Sequence, residues 1–386
     1  MQAQAANFPL GLYIHVPFCA HRCGYCAFYQ EVPKRQDIEL YLQGIAYSLK
    51  SLELTRPIDT IYWGGGTPGI LTTRNIYSTG KWIQDLPLYI SPSEWTVELS
   101  PITVKDERLN ALRDIGVNRI SMGVQSFSEK TLQRLGRRQN PKCALFAYDT
   151  IRQHDFQNVG LDLIFAVPDQ TLEEWEEDIQ KAIQLQPEHI STYNLTMEGD
   201  SKMNLSGKFD PTPCSLERER AFYISTVKIL ESSGYGQYEI SNFCLPGHES
   251  RHNLHTWQMA EWVGIGPSAS SQYDRRRYTQ FPSLGQWAQA LKDGKPSFIL
   301  EQTLNDHILF EDSCLFGLRM REGIDLRVLH GHYPFVQEDY IALLENFFKR
   351  LVDAGYMEPR APHRYHLTLE GMLHCDAIGA DILALT

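Results

Sequence analysis

The segment Leu12-Tyr-Ile-His-Val-Pro-Phe-Cys19-Ala-His-Arg-Cys23-Gly-Tyr-Cys26-Ala-Phe28 crowds three cysteines onto one short stretch. Gly11 to Val16 reads as a strand, so the C-x3-C-x2-C spacing falls directly behind a strand end. Structural zinc sites take four ligands, usually in two pairs, and no second pair lies nearby. Three thiolates on one loop suit three irons of a [4Fe–4S] cube, leaving the fourth iron open to another ligand. Three structural cysteines so spaced by chance are improbable. Cys19, Cys23 and Cys26 are therefore the candidate metal ligands, while Cys143, Cys214, Cys244, Cys314 and Cys375 are scattered. Eight cysteines in 386 residues are too sparse for a disulfide scaffold, so the trio reads as a metal site in a reducing compartment.

Outward from this loop, short β-branched or aromatic runs alternate with helical patterns. Strands are expected at Ile58 to Trp63, Glu94 to Leu99, Asn118 to Val124, Asn158 to Phe165 and His189 to Leu195. Helices are expected near 37–54, 105–115, 141–154 and 171–184. This alternation predicts an α/β chain with a parallel sheet, a partial, TIM-like (β/α)6 barrel, because a full eight-stranded barrel takes about 250 residues. From Tyr238 to about Tyr278 the chain is rich in Gly, Pro, Ser, Asn and His and reads as a long functional loop region. Beyond Asn305, helices near 305–319 and 337–354, two short extended pieces and a closing helix predict a C-terminal, mainly helical, winged-helix-like domain. The expected divisions are a core at 1–237 with its cysteine loop at 19–26, a connecting region at 238–300, and the C-terminal module at 301–386.

Composition narrows the classes. Hydrophobic residues make up 42% and charged residues 22%, enough apolar content for a substantial core. The 36 Lys and Arg against 47 Asp and Glu leave a net charge of −11, which argues against nucleic-acid binding because a phosphate backbone requires a positive field. Arg275-Arg276-Arg277 reads as a solvated face or a partner contact. With no run of 18 or more apolar residues and no export signal at the start, the expected location is cytoplasmic and not transmembrane.

Polar residues recur at the predicted strand ends, where a parallel barrel places its working groups. Trp63-Gly-Gly-Gly-Thr67-Pro-Gly69 formally matches a dinucleotide fingerprint, but Pro68 lies within the turn and the surrounding context is poor. A bare backbone edge at Gly65, Gly66 and Thr67, open to close approach by a ligand, is the better reading. Glu98, Gln125, Arg137 and Asp162 each have a fair surface explanation alone. Together they suit a zwitterionic ligand bearing a ribose and an adenine.

The cysteine spacing, with Tyr25 immediately before the last cysteine, resembles the radical S-adenosylmethionine (SAM) superfamily. That resemblance implies a [4Fe–4S] cluster whose open iron chelates SAM, and reductive cleavage to a 5′-deoxyadenosyl radical. The strand-end segments narrow it to the coproporphyrinogen-oxidase-like branch, together with Phe310-Glu-Asp-Ser-Cys-Leu-Phe-Gly-Leu-Arg319 in the C-terminal module. In that family the counterparts of Tyr13, Gly65, Glu98, Gln125, Arg137 and Asp162 line the SAM site.

Two features divide the branch. Its oxygen-independent coproporphyrinogen dehydrogenases carry a further cysteine two positions after the triad and an N-terminal extension, whereas here Phe28 holds that position and Cys19 lies close to the chain start. Both departures resemble the haem chaperones of the branch, which typically carry His-Asn-x-x-Tyr-Trp. This chain has His252-Asn253-Leu-His255-Thr256-Trp257, with Thr256 in place of the tyrosine. The resemblance implies His252 as a haem ligand on a mobile loop, with His248 and His255 as alternatives. The family also usually reads Gly-Leu-Pro-Gly-Gln-Thr after the fifth strand, where this chain has Ala166-Val-Pro-Asp169-Gln-Thr. The implied function is haem binding and transfer to acceptor proteins, including acceptors at respiratory membranes, by a monomer or dimer with no assigned catalytic residue. The alternative is a radical SAM enzyme that oxidatively decarboxylates coproporphyrinogen III or modifies another tetrapyrrole.

Overall fold

Strand β1, Leu10–Val16, is buried along its whole length except at Tyr13. A strand covered on both faces is what a parallel sheet wrapped by helices produces. The computed structural model describes residues 9–26, 29–196 and 216–385; Phe28 and Cys214 lie outside the described residues. Parallel strands β2 (Thr60–Gly65), β3 (Glu94–Leu99), β4 (Arg119–Gln125), β5 (Val159–Phe165) and β6 (His189–Asn194) follow β1 in spatial order, as the alternating pattern requires.

The connecting helices carry their own start signals. Thr171 accepts from the Glu174 N–H at 3.2 Å, and the Glu174 carboxylate accepts from the Thr171 N–H at 3.0 Å, a capping box that opens the helix Leu172–Gln184. Asn140 caps Pro141–Gln153 through the Cys143 N–H at 2.9 Å. Each such cap contributes about 1 kcal/mol. Trp63 on β2, Trp95 on β3 and Trp175 on the helix Leu172–Gln184 are fully buried, and the Trp175 indole donates to Thr226 Oγ1 at 2.8 Å.

The expected loop from Tyr238 to Tyr278 is instead folded. It contains β7 (Gly236–Glu239), β8 (Asn242–Cys244), the helix Arg251–Trp257, β9 (Glu261–Ile265), β10 (Ser270–Tyr273) and the start of β11 (Arg276–Gln280), and β12 (Phe298–Thr303) follows. These strands are three to six residues long and interrupted by turn residues, so composition averaged over the region conceals them. β9 pairs parallel with β1 and adds a seventh parallel strand to the six expected. The full sheet runs β12-β11-β10-β9-β1-β2-β3-β4-β5-β6-β8-β7.

The C-terminal region is built as helix Asp306–Arg319, β13 (Ile324–Asp325), helices Leu326–His332 and Glu338–Asp353, and the hairpin β14 (Met357–Ala361) and β15 (Arg364–Leu367). Helices Leu369–Leu373 and Cys375–Leu383 close it. Its sheet order, β13-β15-β14, with the helix–strand–helix–helix–hairpin sequence, is a winged-helix arrangement. The arginine run fastens this module to the barrel: Arg277 pairs with Asp312 at 2.7 Å and Arg275 pairs with Asp306, so these two arginines are internal contacts. Among the described residues no helix is long and apolar enough to cross a membrane.

Candidate cofactor site

The cysteine loop is closed at its root by backbone. The Cys19 N–H donates to the Glu31 carbonyl at 3.0 Å and the Glu31 N–H to the Pro17 carbonyl at 2.7 Å. The glycine turn after β2 is bonded to the same root, with the Gly66 N–H donating to the Val16 carbonyl and the Thr67 N–H to the Phe18 carbonyl, both at 2.7 Å. A Cβ at Gly66 would stand 2.5 Å from the Phe18 carbonyl oxygen, so this glycine is required by the loop's own backbone. Gly65 has φ +100°, and a Cβ there would strike the His15 ring at 2.5 Å.

Thr67 Oγ1 lies 3.5 Å from Cys19 Sγ. Burial pushes the Cys19 thiol up to about 11, the Thr67 hydrogen bond and Arg137 oppose this, and the neighbouring Cys26 and Cys23 add to it. Among the described residues no three His, Cys, Asp or Glu side chains stand arranged to hold a metal ion. The donor set nevertheless suits an iron–sulfur cluster in kind: three thiols share one loop, and the Arg137 guanidinium faces them electrostatically.

Arg137 reaches the loop through Tyr25, accepted by the tyrosine hydroxyl at 3.0 Å with its guanidinium 5.9 Å from the ring centroid, while its Nε has no hydrogen-bond partner. A Cβ on Gly123 would meet Gln125 Nε2 at 3.0 Å and Arg137 Nη2 at 3.5 Å, which puts both side chains over the same bare point of β4. Gln125 has φ 71° at the strand's irregular end. Glu98 accepts from the Tyr62 hydroxyl at 2.7 Å and the Gly65 N–H at 3.1 Å. Burial raises its carboxyl to about 7 against those two hydrogen bonds, with the nearby Asp162 adding to the rise. Burial likewise raises Asp162, which accepts from the Ser121 hydroxyl at 3.2 Å. Tyr13 bonds His15 Nδ1 at 2.9 Å, and the other His15 nitrogen bonds the Tyr29 carbonyl at 3.1 Å. Gly65, Glu98 and Gln125 thus stand at or next to the C-terminal ends of β2, β3 and β4, Tyr13 and Asp162 lie midway along β1 and β5, and Arg137 follows the helix Glu129–Arg134. Gly66 and Thr67 lie beneath them, facing the cysteine loop.

His252 occupies the adjoining wall, and the mobile-loop expectation fails there. It sits on the short helix Arg251–Trp257, 8% exposed. Thr60 Oγ1 and His252 Nδ1 are 2.9 Å apart, which leaves Nε2 for any ligand. Burial lowers the imidazole to about 3, with His255 and Arg119 acting in the same direction, so the ring is neutral near pH 7. Glu94 holds the start of the helix, accepting from the Arg251 N–H at 2.9 Å and the His252 N–H at 3.1 Å. Tyr13, His15, Tyr29, His252, Thr256 and Trp262 line one cavity of about 540 Å³. His255 is drawn towards Asp59, 3.7 Å away, and is absent from that lining, as is His248. Trp257 packs outward, under Arg319 at 4.8 Å and beside Phe316, and so ties this helix to the C-terminal module. A neutral imidazole with one committed nitrogen on a cavity wall suits an iron porphyrin.

Sequence reasoning missed Thr60, Tyr62, Glu94 and Arg119. Thr60 and Tyr62 lie two residues apart on β2, and Glu94 and Glu98 four apart on β3, so each pair shares a face, a period that could have been read from the strands. Arg119, 1% exposed and bonded to Thr96 at 3.4 Å, gave no sequence signal.

A parallel sheet with three cysteines in this spacing behind its first strand defines a radical SAM protein, and residues 13–182 match the model of the Radical SAM superfamily. Folds of this class are associated with a [4Fe–4S] cluster and SAM. Within the superfamily, the chain belongs to the heme chaperone HemW family. It is 33% identical to heme chaperone HemW of Lactococcus lactis subsp. lactis over 318 residues, covering 82% of this chain and 83% of that protein. It is 30% identical to heme chaperone HemW of Bacillus subtilis over 345 residues, covering 85% and 90%. The solved structure of coproporphyrinogen III oxidase (HemN) from Escherichia coli, a radical SAM enzyme, superposes with a TM-score of 0.84 at 22% identity, over 97% of this chain and 90% of that one.

Proposed function

We propose that the chain binds haem through His252 and passes it to acceptor proteins, and that a [4Fe–4S] cluster on Cys19, Cys23 and Cys26 and a SAM molecule at the strand ends accompany that task. The observation that carries the reading is the neutral, buried His252 on the wall of a cavity that also includes Tyr13. When bound, the cluster supplies an electron to SAM. The chain's own residues orient and enclose the ligands. Glu98 and Asp162 offer carboxylates to an ammonium or a ribose, the Gly65 edge admits close approach, Gln125 and Arg137 close the far side, and Thr67 steadies Cys19. Acceptors are proteins that need haem, including those at respiratory membranes, and a reducing, cytoplasmic compartment suits the thiols.

Anaerobically reconstituted protein titrated with haem should give a shifted Soret band, and His252→Ala should weaken binding at least tenfold. An unchanged spectrum and affinity in that variant would remove His252 as ligand. Incubation with reductant, SAM and coproporphyrinogen III, followed by chromatography, tests the enzymatic alternative. Protoporphyrinogen formed beyond a cysteine-triad control would favour it over haem carriage.

A further inference from the structure

Tyr62 stands between the two candidate ligand sites. Its hydroxyl donates to Glu98 Oε1 at 2.7 Å, and its ring lies against His252 with centroids 5.2 Å apart and 32° between planes. The Tyr13 ring is 6.3 Å away. Thr60, on the same face of β2, holds His252 Nδ1, and Glu94, on the same face of β3 as Glu98, holds the backbone of the His252 helix. Every polar anchor that the sheet gives His252 therefore comes from the two strands that also present Tyr62 and Glu98.

We propose that Tyr62 couples these sites, so that a ligand held by Glu98 changes the affinity of His252 for haem iron, and haem changes the affinity at Glu98 by the same factor. The inference rests on the reading of Glu98 as part of a SAM site and His252 as a haem ligand. Its physical basis is competition. A ligand that draws on the Glu98 carboxylate alters the acceptor to which the Tyr62 hydroxyl is bound, and the Tyr62 ring, packed against His252, cannot shift without changing its contact with the imidazole. Reciprocity follows because both affinities belong to one thermodynamic cycle.

The test uses the full chain with its cluster reconstituted anaerobically and no reductant, so that SAM stays intact. Haem is titrated with and without saturating SAM, and the readout is the ratio of the two dissociation constants, which is insensitive to a uniform loss of affinity. Wild-type protein should show a ratio of about fivefold or more in either direction. Tyr62→Phe, which keeps the ring and removes the hydroxyl, should bring it to within twofold of unity. A wild-type ratio of one, or a full ratio preserved in Tyr62→Phe, overturns the coupling while leaving the haem site standing. Haem affinity unaffected by His252→Ala overturns the underlying reading and the coupling with it.

Discussion

Two neighbouring parts of the barrel interior arrange their polar groups in opposite ways. At the mouth, Glu98 and Asp162 are carboxyls raised by burial, and Arg137 keeps a buried Nε without a partner. On the wall, the polar groups of His252 itself are answered within the chain: Glu94 receives its N–H, Thr60 holds Nδ1, and the Thr256 hydroxyl donates to its carbonyl at 3.0 Å. Buried charge is costly unless it is paired, so a charged ligand would relieve the raised carboxyls and the open Arg137 Nε of the mouth, whereas His252 is already held and keeps one neutral nitrogen. That difference is what the proposed division of labour requires, a charged ligand at the mouth and a haem iron on the wall.

The largest effect expected belongs to the mouth. Gly66→Ala puts a methyl 2.5 Å from the Phe18 carbonyl oxygen and 2.8 Å from that of Val16, and backbone cannot swing aside. It should cost about 3 kcal/mol or more in denaturant unfolding of the cluster-free chain and lower the iron bound per chain after reconstitution. Normal stability with normal iron content would show that the loop root is looser than drawn. On the wall, Glu94→Ala should cost about 2–3 kcal/mol, because it strips the His252 helix of its acceptor and removes a carboxylate acting on the buried Arg119. Iron loading should survive this change and haem affinity should fall. If iron falls instead, the two regions are not separable.

Much of the mouth was legible beforehand because Gly65, Glu98 and Gln125 stand at or next to the ends of strands with their own local patterns, Tyr13 and Asp162 lie within such strands, and β1 to β6 alternate with helices of ordinary length. The wall was legible only as a histidine motif. Its supports, Thr60 and Glu94, come from strands whose ranges lie far from the motif in the chain, and the helix that carries His252 is only seven residues long, too short for periodicity to reveal. The same holds for β9, whose five residues include a glycine and give no strong strand pattern, yet whose pairing with β1 extends the parallel sheet beside the cavity.

The comparison also has a pH signature of opposite sign. Glu98 binds its proton more tightly folded than unfolded, with its carboxyl raised to about 7, so the folded state loses stability as pH rises from about 4.5 through 7. His252 is the reverse: its imidazole is lowered to about 3, the unfolded chain binds the proton better, and stability is lost as pH falls below about 6.5. Glu98→Gln should therefore gain on wild type by on the order of 2 kcal/mol between pH 5 and 8, a figure reduced because Glu98 keeps some solvent-exposed surface. His252→Asn should gain on wild type by about 2 kcal/mol as pH falls from 7 to 5. Denaturant midpoints across this range decide it, and slopes of the same sign in the two variants would erase the distinction between mouth and wall.

The smallest effect sharpens the edge of the mouth, in the turn after β5. Ala166 and Asp169, which stand where the family usually has glycine, have φ 58° and 54°. The turn thus holds two non-glycine residues in a conformation that glycine adopts without strain, and a left-handed alanine costs about 1 kcal/mol. Asp169 is the milder case, since aspartate tolerates this region and its carboxylate meets Arg134 at 3.1 Å, an ion pair too exposed to add more than a few tenths of a kcal/mol. Ala166→Gly should stabilise the chain by about 0.5–1 kcal/mol, less than the full strain because glycine also loosens the unfolded chain, and Asp169→Gly should change it little. If Ala166→Gly destabilises, core packing by the buried alanine methyl outweighs the strain of the turn.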